Sequence, residues 1–232
     1  MRMQYRWPDD LLHLLFPHQC EGCATDLLAP GEPLCTHCAR ALPATFFFGS
    51  TGNPVERMFY GRIDIACAAS AYYFTKHSVL QQLLVRLKYR GDRAAGIFLG
   101  ARTGRFLADA PRFAGTGIVV PLPLNPVKER QRGYNQAAVI CNGISRVWDK
   151  PVIHNAVIRT RFTETQTHRN RVSRWQNMEG VFAVPDKSTV SNSHILLVDD
   201  VITTGATLEA CTAVLMEAGA ASVRLVTVAY TV

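Results

Sequence analysis

The stretch Ile-Leu-Leu-Val-Asp-Asp-Val-Ile-Thr-Thr-Gly-Ala-Thr-Leu, residues 195–208, decides the fold of this chain. Four apolar residues run into two carboxylates, Asp199 and Asp200, and a short hydroxyl-rich turn follows. An apolar run of this length, bounded by turn residues, is typical of a strand that is buried on both faces of a parallel α/β sheet. Because ligands of such sheets bind at the carboxyl ends of the strands, both acids are expected at a ligand site.

The turn after this strand predicts what kind of ligand binds there. It precedes a predicted helix whose apolar residues recur at helical spacing up to Ala218, with Gly219 as the stop. The first turn of a helix offers free backbone N–H donors, and short side chains let a phosphate approach them. Carboxylates beside that phosphate suit the hydroxyls of a sugar, provided that the chain bends so that both acids face one ligand. An acid-ended strand before an ordinary capped helix is the alternative. The residues predicted to hold the phosphate are Thr203, Thr204, Gly205, Ala206 and Thr207.

Composition narrows the class of protein. The chain has 232 residues, of which 48% are hydrophobic, so it can form a sizeable core. It contains no apolar run of membrane-spanning length and no signal-peptide pattern, and a cytoplasmic location is the default expectation. The net charge of +7 favours an anionic ligand or partner, without separating a sugar phosphate from DNA or RNA.

Four of the seven cysteines form a metal-binding pattern, Cys20-x-x-Cys23 followed by Cys35-x-x-Cys38. Each pair can offer two thiolates to one tetrahedral zinc ion, and four sulfur ligands would close its coordination shell. A structural zinc is therefore predicted, which would supply much of the folding energy of so small a segment. A redox pair and an iron–sulfur site are the alternatives.

Basic residues follow a second predicted strand at Ile118–Val120. A proline-rich turn, Pro121–Pro126, is rigid and precludes a helix. The cations after it can form a pyrophosphate site, with a solvated basic loop as the alternative; they are Lys128, Arg130 and Arg132. For the earlier basic cluster at residues 88–93, a solvated helix end and a ligand role remain equally open.

Residues 159–177 are polar, basic and without apolar periodicity. A loop of this length inside a compact domain is usually functional or disordered. We interpret it as a lid that closes over the phosphates and excludes water. Its arginines are expected to contact the pyrophosphate together with the loop cations; they are Arg169, Arg171 and Arg174.

The stretch Leu196–Thr207 resembles the phosphoribosyl-pyrophosphate (PRPP) signature of type I phosphoribosyltransferases. Over nearly its whole length the chain also resembles the ComF family of competence-associated and GntX-like proteins. The motifs that carry this resemblance are the four-cysteine segment, Leu87-Lys88-Tyr89-x-Gly91-Asp92, Pro121-Leu122-Pro123 with Arg130-x-Arg132-Gly133-Tyr134-Asn135-Gln136-Ala137, and Thr163-x-x-Gln166-Thr167. Tyr134 stands where Phe is more usual, and Arg169 where an apolar residue is more common.

The resemblance implies an α/β fold, a type I phosphoribosyltransferase-like parallel sheet flanked by helices, with a small N-terminal zinc-ribbon-like finger. We expect the finger at residues 1–45, a linker at 46–62 and the phosphoribosyltransferase-like domain at 63–232. PRPP with Mg²⁺ is the implied ligand, and a link to DNA uptake during transformation is implied for some bacteria.

Two functions follow as hypotheses. The first is a Mg²⁺-dependent phosphoribosyl transfer enzyme connected to DNA uptake, in which Asp199 and Asp200 orient the ribose and favour positive charge at its C1. The second is a competence factor that binds single-stranded DNA, in which PRPP binding is regulatory or vestigial. Competence and uptake proteins are possible partners, and the sequence names no acceptor substrate.

Overall fold

The computed structural model describes residues 18–160 and 180–231. The chain forms two compact units, which divide between Leu42 and Pro43. The predicted lid with Arg169, Arg171 and Arg174 lies outside the described residues, as do residues 1–17.

The first unit is rich in turns. Its described part contains helix α1, Thr36–Arg40, which begins directly after Cys35. Backbone hydrogen bonds close the turn around the first cysteine pair, with Cys20 N donating to Thr25 O and Ala24 N donating to Cys20 O, both at 2.8 Å. The two Cys-x-x-Cys motifs therefore lie at a turn and at a helix start.

The second unit is built on a parallel sheet, as the sequence predicts. The strand order is β1-β6-β5-β2, and every neighbouring pair is parallel. The strands are β1 Cys67–Phe74, β2 Ile118–Pro121, β5 His194–Ile202 and β6 Ser222–Thr231. Strands β3, Ile158–Arg159, and β4, Phe182–Ala183, form a separate antiparallel pair. The apolar run Ile195–Val198 is fully buried, which explains its uninterrupted apolar character.

Helices connect and cover the strands. Those of the second unit are α2 Pro54–Arg57, α3 Val79–Tyr89, α4 Arg93–Ala108, α5 Pro126–Arg132, α6 Gln136–Ser145 and α7 Ala206–Glu217. Helix α7 ends before Gly219, which has a φ of 96°, as the stop signal predicts. Among the described residues, no helix combines the length and the apolar character that a membrane crossing requires.

Helices α4 and α6 pack with their backbones in close approach. A Cβ atom added to Gly100 of α4 would meet the carbonyl oxygen of Ile140 and would lie 2.9 Å from the Cα of Gly143 on α6. Only a residue without a side chain fits at such a crossing. This contact fixes α6, whose N-terminus borders the loop after β2.

The segment 46–62, which the sequence suggests as a linker, contains a 3-10 turn at Phe47–Gly49 and helix α2. Phe47, Phe48 and Phe59 are buried, whereas Phe46 is 80% exposed. The segment therefore contributes to the core of the second unit, and Phe59 reaches the candidate site.

Candidate functional site

Asp199 and Asp200 lie near the carboxyl end of the inner strand β5, where a ligand of a parallel sheet is expected. The pairing of β5 with β6 continues past both acids, with Asp199 opposite Thr227 and Val201 opposite Ala229. Successive side chains of a regular strand point to opposite faces. The carboxyl groups of Asp199 and Asp200 nevertheless lie close enough to interact directly. Asp199 is half-buried, and Asp200 is 4% exposed.

The buried carboxylate of Asp200 is compensated by a lysine. Lys88 Nζ lies 2.6 Å from Asp200 Oδ2, at the C-terminal end of α3. The other oxygen, Oδ1, accepts a hydrogen bond of 2.7 Å from the backbone N–H of Val201. Among the described residues, Oδ2 therefore has an ion-pair partner but no hydrogen-bond donor, so that it can accept from a ligand.

Burial raises the pKa of Asp199 well above its ordinary value, and the negative charge of Asp200 raises it further. The backbone N–H of Asp200, which donates to Asp199 Oδ1 over 2.8 Å, and the charge of Lys88 act in the opposite direction. The ionisation of Asp199 therefore depends on the charge of Asp200, on the backbone N–H of Asp200 and on the charge of Lys88.

The turn after β5 has the geometry of an anion site. Gly205 adopts φ 74° and ψ −5° directly before α7, a left-handed conformation that favours glycine. Thr203 and Thr204 are exposed, and Ala206 and Thr207 are half-exposed. Within the described chain, no side chain caps this end of α7, which leaves its first-turn N–H groups to a ligand.

Two residues outside the predicted site fix this turn. A Cβ atom on Gly205 would lie 2.9 Å from Cζ of Phe59, so the phenyl ring packs directly against the turn. Arg62 donates to the carbonyl oxygens of Met58, at 2.8 Å, and Thr204, at 3.2 Å, and forms an ion pair with Glu209. Glu209 is a buried acid in the first turn of α7, where its charge would repel a phosphate, and the guanidinium offsets that charge.

The loop after β2 begins beside the acid pair. Pro121 is in register with Val198, and Leu122 N donates to Val198 O over 2.8 Å. Asn125 caps α5 by accepting from Val127 N at 2.9 Å, with Pro126 at the first helical position. Asn135, which caps α6, donates to Leu122 O at 2.9 Å and so ties the start of α6 to this loop.

A basic cavity of about 300 Å³ brings two of the predicted pyrophosphate residues together with Lys88. Its lining residues are Lys88, Tyr89, Gly91, Lys128, Gln131 and Arg132. The guanidinium of Arg132 lies 5.8 Å from the centre of the Tyr89 ring and also donates to the side chain of Gln136. Arg130 is exposed and is not among the lining residues. The cavity has the charge to hold an anion.

The antiparallel strands β3 and β4 flank residues 161–179 in the sequence. Thr160 N donates to Val181 O at 2.8 Å, and Thr160 Oγ1 donates to Gly180 O at 2.6 Å. These bonds extend the β3–β4 pair by one residue. The described chain therefore ends at Thr160 and resumes at Gly180 at one place on the second unit, with residues 161–177 of the predicted lid between them.

The four cysteines of the first unit are arranged for one metal ion. Their sulfur atoms all lie within 4.8 Å of one another, and Cys23 Sγ and Cys35 Sγ are 3.7 Å apart. A tetrahedral zinc with Zn–S bonds of about 2.3 Å separates its sulfurs by about 3.8 Å, so the donors fit this ion. The residues that would hold it are Cys20, Cys23, Cys35 and Cys38.

Backbone donors favour the thiolate form within this cluster. Burial by itself raises the pKa of Cys20, but the N–H groups of Cys35, Gly22 and Cys23 outweigh it and lower the pKa to about 6. Hydrogen bonding to Cys23 is the main cause that raises the pKa of Cys38 to about 12. Four sulfurs this close cannot all ionise without a cation, which a divalent metal supplies.

Comparison with known proteins agrees with this geometry. Residues 136–231 match the family described as "Phosphoribosyl transferase domain". The match includes the acid pair, the turn at Gly205 and helix α7. It leaves out the cysteine unit and the residues up to Asn135, among them Arg62 and Lys88.

The chain is similar to competence protein F of Haemophilus influenzae, with 26% identity over 221 residues, which cover 90% of this chain and 96% of that protein. It is 34% identical over 111 residues to the DNA utilization protein YhgH of Escherichia coli K12, covering 46% of each chain. A solved structure of glutamine PRPP amidotransferase from B. subtilis aligns with a TM-score of 0.41 and 18% identity over 59% of this chain and 26% of that one. This chain is a homologue of competence protein F and YhgH that carries a phosphoribosyltransferase-like domain, which confirms the predicted resemblance to the ComF family.

Proposed function

We propose that the second unit binds PRPP with Mg²⁺ and catalyses phosphoribosyl transfer. One observation carries the proposal: at the carboxyl end of β5, an acid pair is followed directly by a glycine-based turn and an uncapped helix start. A helix start of this kind suits a phosphate, and carboxylates suit sugar hydroxyls. Both groups occur in the phosphoribosyl moiety.

The 5′-phosphate would bind at the turn. Backbone N–H groups of residues 205–207 would donate to its oxygens, and the hydroxyls of Thr203, Thr204 and Thr207 would add further donors. Arg62 and Phe59 would hold the turn in the required conformation. Ala206 contributes a small side chain that leaves room for the phosphate.

Asp199 and Asp200 would accept hydrogen bonds from the ribose hydroxyls. Because the two carboxyl groups already lie close enough to interact directly, both can face one sugar. Their negative charge would favour the positive charge that grows at C1 as its bond to pyrophosphate oxygen breaks. The acceptor forms the new bond to C1 and releases a proton, and pyrophosphate departs as the anion.

The departing pyrophosphate would be stabilised by cations of the cavity and its surroundings. Lys128 and Arg132 line the cavity, and Arg130 lies exposed on the same helix. Arg169, Arg171 and Arg174 are proposed to join them from the lid. Mg²⁺, held by the pyrophosphate and the ribose hydroxyls, would neutralise the developing charge.

A zinc ion in the first unit would have a structural role, since four thiolates leave no open coordination position for a substrate. The names of the relatives, competence protein F and DNA utilization protein, support a role of this chain in DNA uptake. A cytoplasmic location would fit this role.

A second function, binding of single-stranded DNA, is favoured by a specific surface feature. Tyr89 is 76% exposed and lies between Lys88 and Arg90, with the guanidinium of Arg132 above its ring. An exposed aromatic ring among cations suits the stacking of a base beside a phosphate backbone. In this alternative, PRPP would act as a regulator or would have lost its role.

Titration calorimetry with PRPP and MgCl₂ tests the proposal. The wild type is expected to bind, and the double variant Asp199→Asn/Asp200→Asn, which removes both charges with little change in shape, is expected to lose binding. A wild type without affinity for PRPP contradicts the proposal. A positive result leads to a screen for pyrophosphate release with candidate acceptors.

Single-stranded DNA binding has its own readout. The alternative expects a gel shift that weakens steeply with salt and is lost in Tyr89→Ala. The acid-pair variant serves as the control, because it should bind DNA as the wild type does. The absence of a shift at low salt would remove this alternative.

A further inference from the structure

Lys88 connects the acid pair with the basic cavity. Its ammonium lies 2.6 Å from the Oδ2 atom of Asp200, whose side chain is 5% exposed, while the lysine side chain is 26% exposed. The same lysine lines the cavity together with Lys128 and Arg132. Lys88 thus contacts a buried acid on β5 and also lines the basic cavity.

The acid pair needs a cation at this position. Two adjacent carboxylates with little solvent repel each other, and burying an unpaired carboxylate is strongly unfavourable. In the described chain, Lys88 is the cation that opposes the raised pKa of Asp199. The other titratable groups near Asp199 are Asp200 and the buried thiols of Cys141 on α6 and Cys211 on α7. Neither thiol brings a positive charge.

We infer that Lys88 is a positioning residue of the acid pair, which holds the carboxylate of Asp200 in place for a ribose hydroxyl and brings a positive charge to both acids. This inference rests on the proposed function. Lysine suits the role because its charge sits at the end of a flexible stem and can reach past the cavity wall to a buried oxygen. The contact comes from α3, outside the residues that match the phosphoribosyl transferase family.

A simple anion contact by Lys88 would behave differently. If the lysine only attracts pyrophosphate, its removal weakens binding by the same factor at every pH. If its charge favours the ionised form of Asp199, its removal raises the pKa of Asp199 further, so that binding fails first at low pH and recovers at high pH. An opposite charge within contact distance typically shifts a carboxyl pKa by about 1–3 units, and each unit changes the ionised fraction about tenfold below the pKa.

The experiment compares the PRPP affinity of four proteins by calorimetry with MgCl₂ from pH 6 to pH 8.5, each as a ratio to the wild type at the same pH. We expect Lys88→Met to bind at least about tenfold more weakly at pH 6 and within about threefold at pH 8.5. Lys88→Arg, which keeps the charge, should stay close to the wild type. Lys128 also lines the cavity, and it forms no ion pair with an acid among the described residues. Lys128→Met should therefore lose affinity by a factor that does not depend on pH.

A pH-independent loss in Lys88→Met, or an equal loss in Lys88→Arg, would overturn the inference while leaving PRPP binding intact. A wild type that does not bind PRPP would refute the proposed function instead. In that case, an experiment without ligand tests the role of Lys88. In that experiment, the carboxyl ¹³C shift of Asp199 is followed during a pH titration. A higher midpoint in Lys88→Met than in the wild type supports the inference, and an unchanged midpoint contradicts it.

Discussion

Replacing Gly205 by alanine tests the turn at the start of α7. The new Cβ would lie 2.9 Å from Cζ and 3.0 Å from Cε1 of Phe59, whereas carbon atoms in contact are about 3.5–4.0 Å apart. Since Phe59 is fully buried, its ring cannot swing into solvent, and overpacking of this kind costs about 1–3 kcal/mol. The left-handed conformation adds about 1–2 kcal/mol for a residue with a side chain. We therefore expect Gly205→Ala to lower the free energy of unfolding by about 2–5 kcal/mol.

Urea denaturation of a double-mutant cycle separates the two causes. Phe59→Leu removes both ring atoms that the new Cβ would meet, so the cost of Gly205→Ala should fall by about 1 kcal/mol or more in that background. The part that persists belongs to the backbone conformation. If Gly205→Ala changes the free energy of unfolding by less than about 0.5 kcal/mol, the turn geometry described above is wrong.

Three further predictions concern other parts of the chain. Gly100→Ala, which would push α4 away from α6, should destabilise the protein by about 1–3 kcal/mol in the same assay, whereas Gly49→Ala, with nothing within 4 Å of the new atom, should stay within about 0.5 kcal/mol of the wild type. Cys20→Ser should reduce the bound zinc measured by mass spectrometry from about one equivalent to a small fraction, and a wild type purified without zinc or iron would contradict the metal assignment. Because the folded chain raises the pKa of Asp199, ionisation of this group opposes folding above about pH 4; Asp199→Asn should therefore be more stable than the wild type at pH 8, and this advantage should vanish towards pH 4. If Asp199→Asn raises the free energy of unfolding equally at both pH values, the folded chain does not raise the pKa of Asp199.

The sequence predicts the centre of the fold well because the signal there is local. The apolar run at residues 195–198 identifies a strand buried on both faces, and the apolar spacing ending at Gly219 identifies the helix after it. The order strand, turn, helix already places a candidate phosphate-binding turn beside two acids. The pattern of four cysteines likewise predicts a cluster, because each pair is close in sequence.

The residues that support this site are not visible in the sequence. Arg62 and Phe59 lie in a stretch rich in glycine and proline, which suggests a linker, and their partners at residues 204–209 are about 140 residues away in the chain. Lys88 sits in a basic cluster that equally suits a solvated helix end, and its contact with Asp200 depends on how α3 packs against the sheet. Long-range pairs of this kind follow from tertiary packing, which local periodicity does not encode.

The arrangement of the two acids has a similar origin. The sequence places both at the strand end but does not tell where the ladder stops. In the structure the pairing with β6 extends to Ile202, opposite Tyr230, and the carboxyl groups of Asp199 and Asp200 still lie close enough to interact directly. How the two acids meet a ligand therefore depends on the last residues of β5.

A crystal structure of the protein with PRPP and Mg²⁺ tests the central claim most directly. The account predicts the 5′-phosphate within hydrogen-bond distance of the backbone N–H groups of residues 205–207, with the ribose hydroxyls against the carboxylates of Asp199 and Asp200. A ligand bound elsewhere, with Asp200 still held by Lys88 and the start of α7 open to solvent, would contradict it.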